Sequence, residues 1–235
     1  MNQIHFWELQ ICSIHSTRTY TISESYTGWG TAGFPVKDEH GNKRLLTASH
    51  LWENKACQSK TGETATQYNQ DFGTVAESHT SADFVLLEKT NGSIDLSQEI
   101  SEEDSTQLVS GWHPKDAVSE LVAERRDVRK MGVTTGQTTG TITGMEKTIS
   151  GDCNDLDGHG IIVDGIDVGK GDSGGPIYRI ETIGGVNYAV LAAHTTHFIG
   201  SGEQETCTPG DERSIGSSAA GHAWYHKDSE YNLIL

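Results

Sequence analysis

Short β-prone segments, each broken off by a polar or glycine-rich turn, recur along this chain at residues 17–22, 44–48, 84–87, 108–112, 140–142, 161–163, 176–180 and 188–193. Strands of that length separated by tight turns build antiparallel sheets, because parallel neighbours need long crossover connections. Long helical periodicity is scarce. The pattern predicts an all-β sandwich or barrel rather than alternating βα units. With 235 residues the chain can form one large domain or two lobes of about 100 residues each, and either buries a core.

Charge narrows the function classes. A net charge of -16, from 33 acidic against 17 basic side chains, repels nucleic acid and anionic membranes. The few lysines and arginines form no strip interleaved with aromatics of the kind that binds single strands. No window approaches membrane-spanning length. Residues 1–10 include Phe6, Trp7 and Leu9 but also Glu8, and hold no continuous apolar signal core, so an exported form would carry its signal outside this sequence.

The chemistry is concentrated in Gly169-Lys170-Gly171-Asp172-Ser173-Gly174-Gly175-Pro176. A serine set among glycines can bring backbone N–H groups close to a developing oxyanion, so Ser173 is nominated as a nucleophile. Serine hydroxyl attacks poorly at neutral pH without a base. Leu45-Leu46-Thr47-Ala48-Ser49-His50 and Ala82-Asp83-Phe84-Val85-Leu86-Leu87 supply a histidine and an aspartate upstream. Taken singly, these are equally well turn glycines, a buried histidine and a solvated aspartate. Together they give the chain order His50, Asp83, Ser173, the order of the double β-barrel serine peptidases rather than of α/β-hydrolases or subtilisins.

The three segments resemble the histidine, aspartate and serine motifs of the chymotrypsin-like (trypsin-like) serine peptidases, and within them the bacterial-type branch of streptogrisins, α-lytic protease and glutamyl endopeptidases. Gly33-Phe34-Pro35-Val36, a turn through Gly41-Asn42, and Arg44 to His50 are similar to that branch's opening hairpin, and Met131-Gly132-Val133-Thr134-Thr135-Gly136 to its second-barrel entry strand. The likeness covers residues 31–202.

The resemblance implies two six-stranded antiparallel β-barrels with a catalytic cleft between them and a short C-terminal helix. It places residues 1–115, with His50 and Asp83, in the first lobe, and residues 116–235, with Ser173 and the specificity pocket, in the second. It implies a serine endopeptidase working through an acyl-enzyme without a cofactor or metal. His50 is the base, Asp83 its orienting partner, the N–H groups of Gly171 and Ser173 the oxyanion hole, and Asp172 a support for the loop. Peptides or proteins are the implied substrates, the chain acting as a secreted monomer. A binding module that keeps the fold without turnover, and an enzyme acting mainly on esters, remain open.

Two cues to specificity disagree. Asp167, six residues before Ser173, matches the position of the pocket aspartate in trypsin-like enzymes and would favour Arg or Lys if buried. Val190-Leu191-Ala192-Ala193-His194-Thr195-Thr196 resembles the pocket strand of glutamyl endopeptidases, in which a histidine recognises an acidic side chain. The expectation carried forward is glutamate at P1, with a pocket of Asp167, Val168, His194, Thr195 and Thr196, and His197 in or beside it. Cys12, Cys57, Cys153 and Cys207 suit two disulfides in an oxidising compartment; of three possible connectivities, Cys12–Cys57 and Cys153–Cys207 would each staple one lobe. Asp152, Asn154, Asp155 and Asp157 before Gly158 lack full EF-hand spacing and read as a solvated acidic turn. His222 and His226 read as packing or surface residues.

Overall fold

The computed structural model describes residues 2–3, 30–52, 57–67, 70–92, 94–102, 105–150, 156, 158–199, 203–206 and 212–235. In chain order its strands are β1 (Asn2–Gln3), β2 (Phe34–Lys37), β3 (Lys43–Ala48), β4 (Thr64–Gln67), β5 (Gln70–His79), β6 (Phe84–Lys89), β7 (Ile94–Asp95), β8 (Glu99–Ser101) and β9 (Thr106–Trp112). A helix α1 (Lys115–Ala123) follows, then β10 (Asp127–Gly132), β11 (Gly136–Lys147), β12 (Gly160–Gly169), β13 (Pro176–Ile183), β14 (Val186–Ile199), β15 (Glu203–Thr206), β16 (Glu212–Ala223) and helix α2 (Trp224–Tyr231).

The first sheet runs β2-β3-β6-β5-β4, all antiparallel. Pro35, which cannot donate to a ladder, sits on edge strand β2. At the β2–β3 turn the Asp38 carboxylate accepts the N–H groups of His40 and Asn42. Phe84 to Leu87 in β6 are buried without alternation, as expected of a central strand covered on both faces. The first lobe was expected to be a six-stranded barrel over residues 1–115; of its described strands β2 to β6 form this five-stranded sheet, β1 pairs with β7, β8 and β9 join the second sheet, and residues 4–29 lie outside the described residues.

The second sheet closes on itself. β16-β12-β11-β10-β13-β14 returns through a β14–β16 pairing, giving a six-stranded barrel, with β15 beside β16 and β9-β8 attached outside β14. Closure leaves these six strands no free edge. Val128, Ile142, Ile161, Val163, Ile177 and Ala192 fill its interior. α1 packs Val118 and Leu121, one helical turn apart, into the same core. A third cluster joins the two sheets: Phe34, Leu46, Phe84 and Leu86 of the first meet Met131, Tyr178 and Leu191 of the second, with Trp224 of α2. This apolar contact fixes one sheet against the other and so sets the geometry at the junction. Among the described residues no helix is long and apolar enough to cross a membrane.

Candidate active site

Strand register delivers the first two side chains. β3 ends where Ala48 pairs with Phe84 of β6, so the residues just beyond β3 and just before β6 lie side by side. His50 sits on a single 3-10 turn, and Asp83 caps another in the left-handed region at φ 50°. The fully buried Asp83 carboxylate accepts the backbone N–H of His50 at 2.9 Å and contacts its Nδ1 at 2.7 Å. Burial alone would raise the Asp83 carboxyl, but the charge and hydrogen bonds of His50, with His194 beyond, hold it below the ordinary range. An ionised carboxylate only accepts, so Nδ1 carries a proton, and in the neutral ring Nε2 then presents a lone pair. That lone pair faces Ser173, whose Oγ lies 2.8 Å away.

Ser173 comes from the loop between β12 and β13, held by an anchor on each side. Asp172 is buried and accepts hydrogen bonds from Thr134 N–H, Thr135 N–H, Thr135 Oγ1 and Gly169 N–H at 2.6–3.2 Å. Its charge is met by the equally buried Lys130 of β10 at 3.0 Å. Thr31 clamps the other side: its N–H donates to Ser173 O and its Oγ1 to Gly171 O, both at 2.9 Å. Gly171 adopts φ +105° and Gly174 φ +90°. A Cβ on Gly174 would come within 2.3 Å of Thr47 Oγ1 and 2.5 Å of Thr31 O, so both space and backbone demand glycine. Among the described residues no acceptor takes the N–H of Gly171 or Ser173. Two backbone donors beside a serine hydroxyl are what an oxyanion needs.

The residues expected in the specificity pocket have different surroundings. Asp167 is exposed, not a buried pocket carboxylate; its backbone carbonyl accepts the hydroxyls of Thr135 and Thr138, at 3.1 and 2.8 Å. Val168 is buried in the barrel wall opposite Gly216. His194 turns inward and places Nε2 3.0 Å from the Asp83 carbonyl, leaving Nδ1 buried without a hydrogen-bond partner among the described residues. Burial first, then nearby Lys227, pushes His194 down to about 3, so its ring is neutral and Nε2 donates. Thr195 Oγ1 is buried with no hydrogen-bond partner among the described residues; Thr196 donates its hydroxyl to Ala220 O at 3.1 Å. His197 lies beside His50, their ring centroids 6.1 Å apart.

Several supports were missed. Lys130 and Thr31 carried no sequence signal beyond their residue types. Behind His194, His222 contacts the buried Lys227 Nζ through Nδ1 at 2.8 Å, and Lys227 lies 5.1 Å from the Trp224 ring centroid. Burial holds this lysine well below its ordinary range. Cys57 is disulfide-bonded; Cys12, Cys153 and Cys207 lie outside the described residues, as do Asp152, Asn154, Asp155 and Asp157.

No protein of curated function matches the chain. The family model described as Trypsin matches residues 15–202. Among solved structures the chain is similar to Protease A of Thermobifida fusca, at 21% identity over 93% of this chain and 95% of that one, with TM-score 0.63. A Nocardiopsis protease matches at 18% identity over 87% and 91%, with TM-score 0.60. A third, described as a glutamic acid specific serine protease that uses a novel histidine triad in substrate binding, matches at 19% identity over 88% and 92%, with TM-score 0.60. These likenesses show the fold.

Proposed function

The chain belongs to the trypsin family, and from that premise we propose that it is a serine endopeptidase with Ser173 as nucleophile, His50 as general base and acid, and Asp83 as the group that holds His50. The observation that carries the reading is the continuous hydrogen-bonded line from the Asp83 carboxylate through both His50 nitrogens to Ser173 Oγ, at 2.7 and 2.8 Å. Ser173 Oγ attacks the peptide carbonyl while Nε2 of His50 takes its proton. The N–H groups of Gly171 and Ser173 stabilise the tetrahedral oxyanion. His50 then gives the proton to the leaving amine, and water repeats the sequence on the acyl-enzyme.

For P1 the proposal is glutamate. It is supported by the resemblance of the His194-Thr195-Thr196 strand to glutamyl endopeptidases and by similarity to the glutamic acid specific structure. Direct contact between His194 and substrate has no such support, because its ring bonds the Asp83 carbonyl. Trypsin-like cleavage after Arg or Lys loses the support of Asp167, which is exposed. The even set of cysteines and the disulfide at Cys57 favour an oxidising, extracellular setting, in which the enzyme acts as a monomer on peptides or proteins. A peptide library varied at P1, with Ser173→Ala as control, tests the reading. Cleavage after glutamate by the parent alone supports it, and cleavage after Arg or Lys refutes the P1 assignment. Turnover undiminished in the variant refutes the nucleophile.

A further inference from the structure

α2 and the turn into β12 bring three metal-binding side chains to one spot on the second barrel. His226 and Glu230 stand four residues apart on α2 and so share a face, their side chains contacting at 3.0 Å between Nδ1 and Oε1. His159 occupies the turn before β12, where Gly158 takes φ +76°. Its carbonyl accepts the N–H of Ala223 at 3.0 Å, which pins the turn against the start of α2. Glu230 Oε1 also lies 3.1 Å from His159 Nε2, and the two imidazole centroids are 3.9 Å apart. One ligand atom from each of the three residues falls within 4.8 Å of the other two.

We propose that His159, His226 and Glu230 form a binding site for a divalent transition-metal ion, zinc by its donor set, which fastens α2 to the β12 turn. Two imidazole nitrogens and one carboxylate oxygen are a common zinc set with a fourth position left for water. Tetrahedral zinc with bonds of about 2.0–2.1 Å holds its ligand atoms roughly 3.4 Å apart, so the trio closes on an ion through shifts of about 1 Å. Among the described residues Nε2 of His226 has no hydrogen-bond partner, and its Nδ1 meets Glu230 Oε1 alone, so no other described group fixes its tautomer against a metal. The side chains of His159 and Glu230 are 29% and 38% exposed, which leaves the ion a route from solvent. A net charge of -16 concentrates cations around the molecule. Sequence reading expected no metal here because the third ligand lies 67 positions before His226 and no short motif joins them.

The test is zinc titration of the chelator-treated full chain by calorimetry, with Co2+ as a spectroscopic reporter of tetrahedral coordination. The expected result is one zinc per chain at micromolar affinity or better, with Glu230→Gln and His159→Gln each weakening binding by about tenfold or more. Zinc at a hundredfold excess over its Kd should raise the parent's thermal midpoint by about 5–10 °C. The same zinc concentration should move neither variant appreciably, while their metal-free midpoints stay close to the parent's. No saturable binding overturns the proposal. Binding that both variants keep at parental affinity also overturns it, by placing the ion elsewhere, for example on His50 and His197.

Discussion

Replacing Lys130 with methionine removes the only lysine or arginine that, among the described residues, is set against the buried Asp172 carboxylate. Removing one partner of a buried ion pair costs about 3–5 kcal/mol, because the other charge stays desolvated. Here Asp172 keeps hydrogen bonds from Thr134, Thr135 and Gly169, which argues for the lower end, about 3 kcal/mol. For a chain of this size that corresponds to a fall in thermal midpoint of about 6–12 °C. The damage should reach activity, since Asp172 stands between Gly171 and Ser173, whose N–H groups depend on its placement. Urea unfolding and peptide turnover on Lys130→Met, Asp172→Asn and the double variant read both effects. The double variant should lose less than the sum of the single losses, because it removes both charges together. A loss under about 1 kcal/mol in Lys130→Met with full activity, or strict additivity in the double variant, refutes the anchoring role.

Asp83→Asn, which frees His50 to adopt the wrong tautomer, should lower kcat by about 10^4 with a small change in KM, measured on a P1-matched peptide. Gly174→Ala should lower both stability and turnover, because its Cβ meets Thr47 Oγ1 and Thr31 O while φ stays near +90°; a parental urea midpoint would contradict the close approach. Burial and Lys227 depress both His194 and His222. A histidine whose folded pKa is depressed contributes stability that is full above about pH 6.5 and is lost as pH falls toward the folded value, about 3 for His194. Urea stability should therefore drop between pH 6.5 and 4, and His194→Gln should flatten the drop. Parallel profiles for parent and variant would count against it.

How much of this was legible follows from which interactions are local. Turn-bounded β segments and the order His50, Asp83, Ser173 are written in short stretches of chain, and the structure brings all three side chains into one hydrogen-bonded line. Residues 117–131 read as a linker plus the first strand of the second lobe, because Leu121, Val122 and Val128 suit either period over so short a stretch; the structure makes Lys115–Ala123 a helix with Val118 and Leu121 on one buried face, and Asp127–Gly132 the strand β10. The partner of Asp172 was invisible, since a lysine reads as surface until β10 and the Ser173 loop are packed together across 42 residues. His194 lies on strand β14, but a strand pattern alone does not say which way its ring turns. The contact with the Asp83 carbonyl comes from the other sheet. Buried Lys227 broke the rule that lysines stay outside, and its contacts with His222 and Trp224 exist only once β16 and α2 meet.

Treating the folded chain with a fluorophosphonate and locating the adduct by peptide mass spectrometry tests the activated serine most directly. The account predicts a single adduct on Ser173, absent in Ser173→Ala and formed far more slowly in His50→Ala. A correctly folded chain left unmodified, or one modified at Ser173 just as fast without His50, would contradict it.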